Sequence, residues 1–425
     1  MAAVTGDVRG APARGRAAGF SDWLPGAAAR RRDLADTLVT TFEAWGYSLV
    51  GTPLVEPAET VAAGVGASAQ SRLFRFMDAD GTMLALVGER TVSVARVVAT
   101  QLQRSPLPLR LCYAGPVLRH GALLNGRRRE ALQAGCELVG EPGLTADAEC
   151  IALAADALIR GGVPGVQIDV GHADFIPAVL DSAGLGGESR DAVLGALRRR
   201  DLVAVEAALE NTEVGEAERR LLLAFPALRG GRDLLDSAAV DLSHPRPHAV
   251  LDQLAQLWDL LEDHGVTGVV HLDLGAVRDW DYYTGPTFEV FSIDSGFALG
   301  TGGRYDGLLA HFGAELPATG FVLHVDRCVD ALERRSAAAV PAPLRLSWSV
   351  GGHESALQLA ASLRRRGVAA ACDLTPVPNA ETPAGAAALV TPTGVRWRSP
   401  AGDGQGSVET AEVALAAAQP PTVAT

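Results

Sequence analysis

The chain has 425 residues, room for two or three domains. It is 48% hydrophobic and 20% charged, so it can bury a large core and is not a disordered acidic chain. Its 37 basic residues are all arginine and face 50 acids, a net charge of −13, which excludes any lysine-based chemistry and argues against a general nucleic-acid surface.

Cys112, Cys136, Cys150, Cys328 and Cys372 are scattered, with no C-x-x-C pair, so no zinc ribbon or redox motif is expected and no metal site is assigned. An odd, dispersed set fits buried thiols in a reducing compartment. No uncharged apolar run reaches the roughly 18 residues a membrane span needs. Residues 1–15 lack an apolar stretch of the secretory kind and read as a disordered leader. A cytoplasmic location is expected.

In chain order, 26–45 reads as an amphipathic helix, with Leu34, Leu38, Val39, Phe42 and Trp45 at helical spacing. GYSLVGTPLVEP follows, where Pro53 ends or edges a strand. LFRFMDADGTMLALVG is a hairpin turning at Asp80-Gly81, and TVSVARVVATQLQ is a helix. LRLCYAGPVLRH and REALQAGCELVG form a plausible antiparallel pair. A helix (TADAECIALAADALIRGG) and a strand (VPGVQIDVGH) come next. About 174–265 is helical and polar-faced, broken at GLGG, RGGR and SHPRP. Strands return at GVVHLDLGAV, PTFEVFSI, FALGTGG and ATGFVLHV, with a short helix at YDGLLAHFG and a longer one at DRCVDALERR. Residues 336–343 have the composition of a linker. A small α/β unit over 344–417 ends in a weak alanine-rich stretch, and 418–425 reads as a disordered tail. Hairpins without βαβ alternation predict an α+β core: an antiparallel sheet flanked by helices, with a helical insertion.

Four segments place polar and aromatic residues within apolar strands: 86–91, 119–137, 278–285 and 302–307, with Arg327 beyond. Buried charge is costly unless paired or used on a ligand, so these could converge on one polar molecule. Bland readings stay open for each. Glu89 beside Arg90 reads equally as a surface ion pair, Arg127-Arg128-Arg129 as a solvated loop, and DYYTG as an aromatic cluster ending in a turn. Residue chemistry alone reaches an α+β protein with an amino-acid-sized polar pocket.

In this order, however, the four segments resemble the catalytic core of class II histidyl-tRNA synthetases, from Gly19-Phe20-Ser21-Asp22-Trp23-Leu24-Pro25 to Arg335. RDWDYYTGPTFE resembles the histidine-specific R-G-L-D-Y-Y-T-G signature, GGRYDGLLAHFG the second such element, and GYSLVGTPLVEP the motif of the dimer interface. The resemblance implies a class II synthetase-like sheet and a dimeric core. It implies that Glu89, Thr91 and Gln133 hold the α-amino group of histidine, and that Glu137 and Tyr283 read its imidazole. Arg119 and Arg278 would take the carboxylate or phosphate side, with Tyr282 as a pocket wall. The chemistry is apt, since an amine wants a carboxylate, a carboxylate suits arginine and each ring nitrogen needs a partner.

The ATP half departs from that pattern. Where the family has F-R-x-E-R, this chain has Leu118-Arg119-His120-Gly121-Ala122; the adenine-stacking aromatic is Ala131, and the inner glycine of the third motif is His324, though Arg327 remains. Each lost transition-state contact costs about 2.7–4 kcal/mol, so adenylation is expected to be lost. No catalytic residue and no cofactor is assigned. Residues 344–425 resemble an eroded anticodon-binding domain, and their six arginines are balanced by six acids, a poor surface for tRNA phosphates.

A kept histidine pocket with decayed ATP and tRNA features resembles the synthetase paralogues that serve as regulatory subunits of ATP phosphoribosyltransferase. ALRRRDLVAVEAALE and LLLAFPALRGGRDLLDSA in the insertion are also more similar to these. This resemblance implies a non-catalytic subunit in a hetero-oligomer with a short-form catalytic phosphoribosyltransferase, required for the first step of histidine biosynthesis and its feedback control by histidine. A divergent histidyl-tRNA synthetase or histidine-activating ligase, and a histidine sensor with another partner, stay open at this point.

Overall fold

The protein's structure, a computed structural model, describes residues 15–417 apart from 64–65, 67–69, 121–127, 211, 241, 243, 276–281, 336–342, 379–381, 384, 386 and 400–401. The chain divides into two compact units, Met1–Ala338 and Ala339–Thr425. Among the described residues, no helix is long and apolar enough to cross a membrane.

The larger unit is built on a nine-stranded sheet. In spatial order its strands are Ser48–Leu49, Leu109–Leu118, Glu130–Val139, Ala318–His324, Gly300–Arg304, Pro286–Ser292, Val166–His172, Val270–Asp273 and Arg229–Gly230. All neighbours run antiparallel except two parallel pairs, at Ser48–Leu49 and at Val270–Asp273. The expected antiparallel α+β core is therefore mixed at its margins. The RGGR segment, read from sequence only as a helix break, adds an edge strand whose Arg229 is in register with Asp273.

Side chains alternate across a strand, so the registers sort this sheet into two faces. The back carries Cys112, Ala134, Cys136, Leu138, Phe321, Leu323, Phe288, Val290, Ile168, Val170, Val270 and Leu272, all buried in one apolar core. Helix Leu144–Arg160 fills that core with Ile151, Ala154 and Leu158. Helix Pro25–Ala44 adds Leu34, Leu38 and Phe42, and Phe42 meets Phe321 edge-on at 5.6 Å. The insertion folds as helices from Phe175–Ser182 to Pro245–Asp263, which join the same core through Leu180, Val193, Leu209, Leu222 and Leu254.

The front face of the same strands carries Tyr113, Gln133, Gly135, Glu137, Gly320, His324, Thr301, Gly303, Thr287 and Glu289. Helix Arg90–Gln101 covers one end of this face, packing Val94, Ala95 and Val98 against Leu111, Tyr113, Val139 and Tyr305. A smaller three-stranded sheet, Val55–Pro57, Met83–Leu86 and Arg75–Met77, borders it and includes the predicted hairpin, with Gly81 at φ +88° in the turn.

The second unit has a five-stranded sheet. Parallel strands Ala370–Cys372 and Ala388–Thr391 flank Leu344–Trp348, and Gly394–Trp397 and Gly404–Gly406 extend it antiparallel. Helices His353–Arg365 and Val408–Ala417 bury Leu359, Leu363, Ala411 and Leu415 against it. The alanine-rich stretch thus holds three strands and a helix that its composition did not announce.

Candidate functional site

The pocket starts where strand Met83–Leu86 hands over to helix Arg90–Gln101. Glu89 is the N-cap residue, with extended backbone (φ −155°, ψ 133°), but its carboxylate does not cap the helix. It turns onto the front face instead, where Tyr282 Oη donates to Oε1 at 2.5 Å. Its other oxygen is buried with no hydrogen-bond partner among the described residues. Burial raises the Glu89 carboxyl above its ordinary range, and neighbouring Arg119 opposes that shift. Arg119 is anchored by its Nε, which donates to Gly88 O at 2.6 Å.

The paired-surface reading of Glu89 and Arg90 is corrected. Both are buried, and their side chains diverge. Arg90 donates to Thr52 Oγ1 at 2.9 Å and Pro116 O at 3.0 Å, tying the segment around Thr52 to the sheet. The room for its guanidinium comes from Gly115, where a Cβ would lie 2.3 Å from Nη2.

Gln133 is fully buried on strand Glu130–Val139, and among the described residues neither Oε1 nor Nε2 has a partner. An amide stripped of water with no replacement costs about 1–3 kcal/mol, so a native fold keeps one chiefly where something else will bond it.

Glu137 lies two pleats along, also fully buried. Tyr113 Oη donates to its Oε1 at 3.2 Å, and Tyr305 Oη donates to its Oε2. Burial pushes the Glu137 carboxyl up to about 8, against the pull of Tyr305, Thr91 and Tyr113. Two glycines make this arrangement possible. A Cβ at Gly320 would fall 2.0 Å from Glu137 Oε2, and one at Gly135 would fall 2.6 Å from Tyr113 Oη. Tyr282 packs on Tyr283 (4.8 Å) and edge-on to Tyr305 (5.9 Å), forming an aromatic wall.

The structure therefore brings together Glu89, Thr91, Arg119, Gln133, Glu137, Tyr282 and Tyr283. Arg278 lies outside the described residues, as do Gly121 and Ala122. Sequence reasoning missed Tyr113 altogether and left Tyr305 unassigned within GGRYDG. The alternation of LRLCYAGPVL put Tyr113 on the same face as Gly115, which was the available signal. Arg304 of that same segment is not a pocket group. It is buried against Asp147, with Nη2 to Oδ2 at 2.7 Å, and also donates to Gly143 O.

Beside Gln133 the face changes character. His324 is its register partner, buried, and held well below its ordinary pKa by burial and by the positive charges of Arg327 and Arg119. Arg327 donates to Ala298 O at 2.5 Å. Ala131 offers only a methyl group. Asp326 accepts from Arg31 Nε at 2.5 Å and from Leu132 N at 3.1 Å. Among the described residues no group of His, Cys, Asp and Glu could hold a metal ion.

A model of the histidyl-tRNA synthetase family matches residues 19–328. The ATP phosphoribosyltransferase regulatory subunit of Geobacter sulfurreducens is 38% identical over 359 residues, covering 84% of this chain and 82% of the relative. A solved structure from Bacillus halodurans, described as an ATP phosphoribosyltransferase regulatory subunit/histidyl-tRNA synthetase, superposes with TM-score 0.76 at 29% identity, over 87% of this chain and 96% of that one. Histidyl-tRNA synthetase from Nostoc shares the fold, with TM-score 0.78 at 18% identity over 95% of this chain and 99% of its own. With its pocket on a synthetase-type sheet and that identity along most of its length, the chain belongs to the histidyl-tRNA synthetase family and, within it, to the ATP phosphoribosyltransferase regulatory subunits.

Proposed function

We propose that the chain acts without catalysis of its own, as the regulatory subunit of an ATP phosphoribosyltransferase whose short-form catalytic subunit is its partner. In this reading the complex carries out the first step of histidine biosynthesis, and the front-face pocket takes histidine as the feedback signal. The observation that carries the histidine assignment is the buried Gln133 amide and the buried Glu89 oxygen, both unpartnered among the described residues and on the same front face. An amino-acid ligand satisfies these atoms, its ammonium donating to Gln133 Oε1 and the Glu89 oxygen and its carboxylate accepting from Gln133 Nε2. Glu137 and the tyrosines then meet the ring, and Arg119 the carboxylate.

Loss of adenylation is part of the same reading. Its support is local: Ala131 has no ring to stack on a base, and a buried neutral His324 fills the ground next to Gln133. A tRNA role is set aside because residues 344–425 carry no net charge. A dimeric core within the hetero-oligomer and an eroded anticodon-binding domain at 344–417 belong to the proposal.

The test is reconstitution. Phosphoribosyltransferase activity should rise steeply when a short-form catalytic subunit is mixed with this chain, and histidine should suppress the gain. Calorimetry should show histidine binding to the chain, and ATP–pyrophosphate exchange should be absent. Exchange at synthetase-like rates would overturn the reading in favour of a histidine-activating ligase, the alternative that the retained Arg327 keeps in play.

A further inference from the structure

Glu137 is held by two hydroxyls that come from opposite directions. Tyr113 reaches it along the neighbouring strand, over Gly135, and Tyr305 reaches it from the end of strand Gly300–Arg304. Each hydroxyl has a single proton, and each spends it on the carboxylate. Gly320, opposite Glu137 in the ladder, has no side chain and so leaves free the space that the carboxylate occupies between the two hydroxyls.

We propose that Tyr113 and Tyr305 are positioning residues that hold Glu137 as an acceptor, so that it and the ligand's imidazole share one proton and the ligand is bound in a single protonation state. This rests on the reading of the pocket as a histidine site. The ring then donates an N–H to a carboxylate that two tyrosines have already oriented.

The proton count follows from the Glu137 carboxyl and the ligand's ring. In the empty pocket Glu137 titrates at about 8, and free histidine titrates at its ring near ~6.5. Between these values the protein supplies the shared proton from Glu137 itself, so binding neither takes up nor releases one. Below the ring value, histidine arrives charged and Glu137 must lose its proton to solvent. Above the Glu137 value, the complex must take a proton from solvent. Affinity is therefore flat between the two and falls on either side. The other titratable groups facing Glu137 are Glu89, which raises it, and the hydroxyls of Tyr282, Tyr113 and Tyr305. The thiols of Cys136 and Cys150 lie on the far face and are held well above their ordinary range by burial.

The experiment is calorimetric titration of L-histidine into the full chain from pH 5.5 to 9.5, in pairs of buffers with different ionisation heats. The expected result is proton release at low pH, none near pH 7 and uptake at high pH. Tyr305→Phe, or Tyr113→Phe if that variant fails to fold, removes a donor that favours the carboxylate. It should weaken binding about tenfold and move the upper limb alone to higher pH, by about one unit. Triazolylalanine, whose ring stays neutral, should lose the lower limb with the unaltered protein. Histidine binding with no proton exchange at any pH, or a Phe variant that binds more weakly with both limbs unmoved, overturns the proposal while leaving the histidine site standing. No histidine binding to the unaltered chain overturns both.

Discussion

The two faces of the nine-stranded sheet are made by the same strands and differ in everything else. On the back, the middle of the sheet presents Leu, Phe, Val, Ile, Ala and Cys side chains that pack in one core with the helices behind. On the front, an amide and a carboxylate oxygen have no partner among the described residues. The back holds the fold together; the front gives up some stability to keep groups available for a ligand. One strand shows both within six residues: Gln133 and Glu137 face forward, while Ala134, Cys136 and Leu138 face back.

The comparison is broken most forcefully from behind. Phe321→Ala removes a buried ring that touches Phe42 and Phe288, and should cost about 3–5 kcal/mol in denaturant unfolding. Histidine affinity of the fraction that remains folded should change little, and a collapse in affinity as large as the loss in stability would show that the faces are not separable.

Glu137→Gln tests the front. A carboxyl raised in the folded state contributes stability that is complete below its ordinary value of 4.5 and is lost as pH rises through about 8. The unaltered protein should therefore lose a few kcal/mol across that window from this group, and the Gln variant should lose much less. Histidine binding should fall at least tenfold in the variant. Equal pH dependence in the two proteins would mean that Glu137 is not the titrating group.

Gln133→Leu is the smallest in energy and the sharpest in sign. It replaces two unsatisfied atoms with an apolar group of similar shape, and should raise stability by about 1–3 kcal/mol while abolishing histidine binding. A fall in stability, measured by thermal unfolding without ligand, would show that the amide has a structural partner after all.

Much of this was legible in the sequence, for identifiable reasons. Alternation in LRLCYAGPVL and REALQAGCELVG is enough to set two faces, and the polar members of one face name most of the pocket. What stayed hidden depends on partners far away in the chain. Tyr113 reads as an ordinary strand aromatic until Gly135 is known to lie beneath its hydroxyl. Arg304 looks like a ligand group until Asp147 is found beside it. Arg90 looks exposed because it adjoins Glu89 at a helix start, yet its guanidinium is turned to Thr52 and Pro116. In the second unit, Gly404–Gly406 is a strand by its pairing, and glycine carries little strand preference of its own.

The seats at Gly135 and Gly320 have a historical consequence. A cavity shaped by absent side chains is closed by any substitution and created by almost none, so it behaves as a one-way valve in sequence space. A single methyl at either position collides with the Tyr113 hydroxyl or the Glu137 carboxylate and, at 2.4 Å, with a carbonyl oxygen of the neighbouring strand. Descendants of this chain that no longer sense the ligand could reach that state by one codon change at either glycine, with every polar residue of the pocket still in place.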